Sequence, residues 1–398
     1  MELLENVIRE YAWGSRTALA QLLGRPSPAR APQAELWMGA HPGAPSKVLR
    51  GGRWVSLADV ITEAPGPELG PQCLKRFGPR LPFLFKVLCA ESPLSLQAHP
   101  SEAQAKAGFA REEAAGVPLG AAHRNYKDPH HKPELLCALT DFEALCGFRA
   151  AAETLRLFKG LAAKELAPFV AMLEAQPGAL GLKAVFEKLM TLPAPERGPL
   201  VTATLAACKR RRDLGQAFAK ECGWAVKLGE QYPGDVGAVS ALLLNLVTLQ
   251  PGEAVFMPAG NLHAYLKGVG VELMASSDNV LRGGLTPKHV DVPELLSVLD
   301  FRDGPVPVQK PRRATDGEEL YLTPAAEFRL SRVVLDKAQR HRAQPHGPEI
   351  LLCTEGAVRL HGADCELELP RGAAAWVSAQ DGVYELRGTG TVYRATIA

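Results

Sequence analysis

Four side chains, Gln97, His99, Glu134 and His263, together offer two imidazoles, a carboxylate and an amide oxygen, the donor set of a borderline divalent cation. Local spacing points to each of them. In Leu94-Ser95-Leu96-Gln97-Ala98-His99-Pro100, read as a strand, period 2 puts Leu94, Leu96 and Ala98 on one face and Ser95, Gln97 and His99 on the other. An amide and an imidazole two apart then reach the same ion, and Pro100 ends the strand. Glu134 follows Pro133 and opens the apolar run Leu135-Leu136-Cys137-Ala138-Leu139, so its carboxylate enters a buried strand. There it needs a metal or an ion pair, for which His130, His131 and Lys132 lie close in sequence. Between Pro251 and His263, Pro258 fixes one backbone angle and Gly260 admits positive φ, making a tight turn just before the histidine. Taken singly, each residue has an ordinary alternative: a satisfied core histidine, a solvated strand face, a salt bridge. Together they suit zinc, with manganese, cobalt and iron as other candidates. A structural zinc site is more often cysteine-rich and closed, whereas this set leaves a position open for water or substrate.

A cationic segment follows downstream. Residues 271–288 run from an alternating strand through the polar turn Ser276-Ser277-Asp278-Asn279 to Arg282-Gly283-Gly284 and then Lys288. The two glycines remove side-chain bulk around the guanidinium. A metal with an arginine and a lysine nearby fits a phosphorylated polyhydroxy substrate, the cations taking the phosphate and the ion the vicinal oxygens. The alternative for Arg282 is a surface turn with one salt bridge. Lys288 is the first candidate for a substrate anchor, and Lys86, Ser95, Lys132, Glu272 and Asp278 are further candidates for substrate contact.

The elements that must hold these groups are mostly short strands. Residues 1–150 are rich in Pro, Gly and short apolar runs; strands are expected at 81–88 and 94–98 and a helix at 102–115. From 151 to 229 glycine thins out and apolar residues recur at helical spacing, as with Val185, Leu189 and Leu192 on one face and Phe186 beside them. β-Character returns over 241–280, beginning with a strand at 241–247. A short helical stretch opens at Thr286 and ends near Leu299, and residues 304–316 read as a Pro- and Arg-rich linker. The remainder alternates strands and turns, notably at 349–353 and 372–377. The expected fold class is therefore mainly β with an α insertion. One β domain takes in 1–150 and 230–303, a helical insertion 151–229, and a smaller β domain 304–398.

At 398 residues the chain can bury a sizeable core in two or three domains. A formal net charge of +2 gives no case for nucleic acid, and Lys209-Arg210-Arg211-Arg212 reads as a solvated helix face. The eight cysteines include no C-x-x-C pair, and Cys89, Cys137 and Cys353 sit in apolar runs as small hydrophobes, which fits a reducing compartment. The first residues lack the basic and apolar regions of a signal peptide, and no apolar run approaches the roughly 20 residues of a membrane span. A soluble, cytoplasmic monomer with a small-molecule partner is expected.

Five segments in series resemble the type I mannose-6-phosphate isomerases, particularly their bacterial members: YAWGS from Tyr11, ELWMGAHP from Glu35, LSLQAHP from Leu94, YKDPHHKPEL from Tyr126, and His263 to Lys288 with SSDNVLRGGLTPK. The resemblance spans roughly residues 1 to 300. It implies a cupin, or jelly-roll, barrel carrying a helical insertion, followed by a cupin-like C-terminal domain. It also implies a zinc-dependent aldose–ketose isomerase that interconverts mannose 6-phosphate and fructose 6-phosphate through a cis-enediol, serving GDP-mannose synthesis or mannose catabolism. One zinc ion per chain would be held by Gln97, His99, Glu134 and His263, and Arg282 would be catalytic. Pro370 to Val377 is cupin-like, but no histidine follows at the ligand position, so no second metal is expected there. The proton-transferring base stays open among a metal-bound water, Glu272, Asp278, His131 and Lys288. Glu35 and Trp13 lie in the shared segments with open roles, Trp13 being expected to pack. Two other classes share parts of this pattern. A non-haem iron oxygenase uses two histidines and a carboxylate, although Gln97, Arg282 and Lys288 argue against it. A non-catalytic sugar-phosphate sensor would keep the fold without turnover.

Overall fold

The computed structural model describes residues 1–314, 317–337, 339–363 and 365–398. The strand at the heart of the site is Phe83–Ala90, FLFKVLCA, buried along its whole length. A strand covered on both faces reads as a continuous apolar run, and Lys86 is its one interruption. It pairs antiparallel with Glu35–Met38 on one side, Trp37 opposite Lys86, and with His263–Ala275 on the other, Glu272 opposite Lys86. His263–Ala275 pairs again along its other edge with Glu134–Ala138 and Phe142–Phe148, and its first residue lies opposite Gln97. The two-residue strand Leu281–Arg282 sets Arg282 opposite Gln97. Residues directly opposite in an antiparallel pair project to the same face. Register alone therefore gathers His263, Gln97 and Arg282, and separately Lys86 and Glu272. All these strands belong to one ten-stranded sheet among the described residues.

Among the described residues, an eleven-stranded antiparallel sheet is built around the long pair Glu349–His361 and Tyr384–Thr396. The chain's first strand, Glu2–Glu5, joins it by pairing with Ala374–Val377 and with Lys47–Arg50, which in turn pairs with Arg53–Ser56. Residues 2–5 and 47–56 thus sit with the C-terminal strands. A shared apolar cluster explains the attachment: Leu4, Val48, Val87 and Leu273 pack with Ile350, Trp376 and Tyr393.

Five main helices, Ala151–Leu161, Ala167–Ala175, Ala179–Met190, Ala194–Asp213 and Ala219–Gln231, enclose a second core. Val185, Phe186, Leu189 and Leu192 are all buried in it. Helical backbone runs further than composition suggested, through Gly237–Ser240 and a 3₁₀ turn at Ala241–Leu243, and the strand expected at 241 starts at Leu244. A short apolar run has no period of its own, and burial of Leu242 and Leu243 against the helices decides its shape. The helix Glu102–Ala114 opens on a full capping box between Ser101 and Gln104.

Three further expectations shift. The strand at 94–98 shortens to Gln97–Ala98. The helix expected from Thr286 spans Val292–Val298, where Asp291 accepts from the backbone N–H of Glu294. The linker at 304–316 is strapped to the site sheet, since Gln309 and Ala254 exchange backbone hydrogen bonds of 2.8 and 2.9 Å. Its last two positions, 315 and 316, lie outside the described residues.

Candidate metal centre

His99, Glu134 and His263 meet in the interior, 1%, 2% and 0% exposed. Backbone carbonyls orient both rings. His99 Nδ1 donates to the carbonyl of Asn279 at 2.7 Å, and His263 Nδ1 to that of Asn261 at 3.0 Å. A carbonyl only accepts, so each Nδ1 carries the ring hydrogen and each Nε2 turns a lone pair inward. The two Nε2 atoms face the two oxygens of Glu134, at 3.4 Å from His99 and 3.2 Å from His263. His99 Nε2 and Glu134 Oε2 have no hydrogen-bond partner among the described residues. Buried lone pairs facing one another are unfavourable until a cation lies between them. The three ligand atoms fall within 4.8 Å of one another, a spacing that suits one ion. The Gln97 amide reaches 3.4 Å from His263 Nε2, so a half-turn of that amide presents its oxygen to the same point.

Local sequence explains how the rings arrive. Gly260 adopts φ +77°, and a Cβ there would come within 2.9 Å of the Val298 carbonyl. Its N–H donates to the His99 carbonyl at 2.8 Å, tying the Pro-Gly turn to the QAHP segment. Burial pushes the His99 ring down to about 4, which keeps it neutral and able to ligate. Burial works to raise Glu134, but the Lys132 ammonium beside it opposes this and holds the carboxyl low. Lys132 Nζ stands 3.3 Å from Glu134 Oε1.

Against these residues opens a cavity of about 150 Å³, lined among others by Gln97, Lys132, Glu134, Lys86, Glu272 and Asp278. The whole arrangement has close relatives. Residues 1–151 match the family model for the phosphomannose isomerase type I catalytic domain. The chain is 42% identical to the mannose-6-phosphate isomerase of Escherichia coli (strain K12) over 99% of both chains. It is 32% identical to that of Bos taurus, over 96% of this chain and 94% of the relative.

The chain belongs to the type I mannose-6-phosphate isomerase family.

Solved structures agree with that membership. A crystal structure of a holo, zinc-bound mannose 6-phosphate isomerase matches with a TM-score of 0.91 at 40% identity, covering 100% of this chain and 99% of the other. A mutant phosphomannose isomerase from Salmonella typhimurium matches with a TM-score of 0.92 at 40% identity and the same coverage.

The other residues singled out from sequence divide into two groups. Within the cavity wall of this family member, Lys86 is committed internally. It is ion-paired to Glu272 and lies 3.3 Å from Glu35, whose other oxygen accepts from Trp37 Nε1 at 2.9 Å. Burial pulls Lys86 down, but Glu272 and Glu35 more than offset this and leave it raised. Glu272 is also raised, by burial against the opposing pull of Lys86, and it accepts the Tyr265 hydroxyl at 2.6 Å. Trp13 lines the cavity, stacks on Tyr11 and packs against a neighbouring apolar cluster.

Arg282, Lys288, Ser95 and His131 are not among the residues lining this cavity. Arg282 is half-buried beside Gln97, its guanidinium without a hydrogen bond or ion pair among the described residues and lowered by burial. Lys288 is exposed and is lowered by desolvation and by Arg282. Ser95 loses its expected position because the chain before Gln97 is irregular, and Leu94 meets the cavity instead. His131 bonds to Glu327 at 2.8 Å and faces a separate cavity shared with Arg80 and Glu102.

Sequence reasoning missed Asn279, Tyr265 and His41. Asn279 is fully buried; its carbonyl orients His99, while its side chain accepts from Lys127 N at 2.6 Å and donates to the carbonyls of Asp128 and His130. The available signal was an asparagine in a polar turn between two strands, a residue able to satisfy several backbone groups at once. Tyr265 stands two residues after His263, on the same strand face, so period 2 pointed to it.

Proposed function

We propose that this chain is a zinc-dependent aldose–ketose isomerase interconverting mannose 6-phosphate and fructose 6-phosphate. The observation that carries the reading is the pair of Nδ1-anchored imidazoles aimed at the two oxygens of Glu134, one of which lacks a donor, in a family member alike over its full length. Gln97, His99, Glu134 and His263 would hold one zinc ion per chain. Bound there, zinc supplies Lewis-acid stabilisation of negative charge on the sugar oxygens.

The remaining chemistry belongs to the chain's own side chains. Isomerisation moves a proton from C2 to C1 while the neighbouring oxygens change between carbonyl and hydroxyl. Glu272 is the carboxyl suited to carry that proton. It lines the cavity, and burial lifts it toward the operating pH, where a base both accepts and returns a proton. Tyr265 and Lys86 hold it in place, and Glu35 holds Lys86 from the other side. His131 and Lys288 fall away as bases because neither lines the cavity. Arg282, its guanidinium unpartnered beside Gln97, would meet negative charge as it develops, with Lys288 as an anchor for phosphate and Lys132 as a further substrate contact. Tyr11, Trp13 and Trp37 wall the cavity against water.

In this reading residues 1–150 and 230–303 are the catalytic unit and 151–229 the helical insertion. Residues 304–398, with strands lent by 2–5 and 47–56, form the C-terminal unit, for which no second metal is proposed. No helix among the described residues is long and apolar enough to cross a membrane; a cytoplasmic monomer is part of the proposed reading. A coupled assay of fructose 6-phosphate formation tests the whole scheme. Chelation should abolish turnover and added zinc restore it. Arg282→Ala should keep its zinc and lose most turnover. Activity that survives full metal removal overturns the reading, and unchanged turnover in Arg282→Ala removes that residue from the mechanism.

A further inference from the structure

The segment from Glu35 to Pro42 runs behind the cavity wall, and its histidine is the informative member. His41 Nδ1 accepts the backbone N–H of Gly43 at 3.1 Å. An N–H only donates, so Nδ1 is bare and the ring hydrogen sits on Nε2. That Nε2 lies 3.2 Å from Asp278 Oδ2. The ring is fixed further by Trp37, edge-on with ring centroids 4.8 Å apart. His41 is thus a buried, single-tautomer donor with one acceptor.

Asp278 is its opposite in exposure, 53% open at the side chain against 8% for His41. It lines the cavity of the metal centre and also an adjoining groove of about 540 Å³ that passes Leu119, Lys127 and His130. It therefore stands where cavity and groove meet. Its backbone is held by Asp128 Oδ2 at 2.8 Å, and its Oδ1 has no hydrogen-bond partner among the described residues. The His41 hydrogen bond, more than the opposing burial, holds the carboxyl below its usual range. An anion with one oxygen pinned and one free is an acceptor for a sugar hydroxyl, and a poor match for the group that must take up and return a proton.

We propose that His41 is a positioning residue for the isomerisation: its Nε2–H holds Asp278 as the acceptor of a substrate hydroxyl at the junction of cavity and groove. The inference rests on the isomerase reading above. Without the pinning bond, an exposed aspartate samples several rotamers, and substrate binding must bear the cost of ordering it.

The test compares His41→Phe, which keeps a ring against Trp37 but has no donor, with His41→Gln, whose amide can still donate. Zinc content is measured in each. The Phe variant should lose about tenfold in kcat/KM, chiefly through KM, the scale of one hydrogen bond to a charged group. The Gln variant should recover most of it, and His41→Phe should add little in an Asp278→Asn background. Equal loss in the Phe and Gln variants, or an undiminished effect in the Asp278→Asn background, overturns the proposal. Nitrogen-15 spectra of labelled histidine give a readout independent of turnover: a bare Nδ1 and a slowly exchanging Nε2–H that moves in Asp278→Asn. A His41 with hydrogen on Nδ1 refutes the pairing even if the Phe variant fails to fold. Absence of turnover in the zinc-loaded parent would instead count against the isomerase reading, and the spectra would still decide whether His41 holds Asp278.

Discussion

Two buried carboxylates, Glu134 in one sheet and Glu349 in the other, meet opposite fates. Glu349 is fully buried and fully answered: Arg394 reaches both its oxygens, Nε at 2.8 Å, and the Tyr384 hydroxyl donates at 2.7 Å. Arg394 donates in turn to Glu318 at 2.9 Å. Both oxygens of Glu349 have donors, so this carboxylate is closed off. Glu134 is buried to a similar degree, yet its nearest neighbours are imidazole nitrogens with lone pairs toward it and one lysine at 3.3 Å. Its cluster is short of hydrogen-bond donors. Burial alone therefore does not mark a functional carboxylate; the balance of donors around it does.

The strongest way to break the contrast is to remove charge from each cluster. Glu134→Gln should lose zinc and at least about a hundredfold in turnover while the fold persists, read by metal analysis, circular dichroism and the coupled assay. Full zinc occupancy in that variant would show that Glu134 is not a ligand. Arg394→Met should do the reverse. An unpaired Glu349 costs about 3–5 kcal/mol in denaturant unfolding, with zinc stoichiometry unchanged. A stability within experimental error of the parent would mean that the closed cluster contributes nothing net.

A pH comparison sharpens the point. His99 sits near 4 in the fold, below the ordinary 6.5, so protonation favours the unfolded chain. Its contribution is complete above about pH 6.5 and is lost as pH falls toward 4, by about 3 kcal/mol at most in the metal-free protein. Glu134, also held low, acts with the same sign. Chelated protein should therefore lose stability as pH falls from 7 to 5, and zinc-loaded protein at least as steeply because ligation requires unprotonated imidazoles; a chelated protein whose stability stays flat across that window would argue against a buried neutral His99. The smallest effect is expected from Ser101→Ala, which removes the helix cap just beyond His99 and costs about 1 kcal/mol with zinc binding retained. A large loss of zinc there would show that the helix, rather than the carbonyls of Asn279 and Asn261, orients the ligands.

Much of the site was legible because its chemistry is local. The Pro-Gly turn before His263, the proline before Glu134 and the two-residue spacing of Gln97 and His99 each bring one or two ligands to a strand end. The reading failed where local pattern ran out. Ser95 was assigned to the cavity by period 2, but the chain before Gln97 is not a strand, so the alternation does not apply. Lys86 looked like a free cation because the carboxylates that engage it, Glu35 and Glu272, come from neighbouring strands far away in sequence. His131 looked like a base until Glu327, from the C-terminal part of the chain, turned it to another cavity.

Residue type and short spacing by themselves determined the donor set, the order of β and helical regions, and the family that both resemble. They could do so because backbone geometry over a few residues is governed by local sterics. Tertiary structure alone decided which nitrogen of His99 faces inward and which charges are already neutralised. Those outcomes depend on atoms far apart in sequence meeting within hydrogen-bond distance in a medium that screens charge poorly, and no local pattern encodes that meeting.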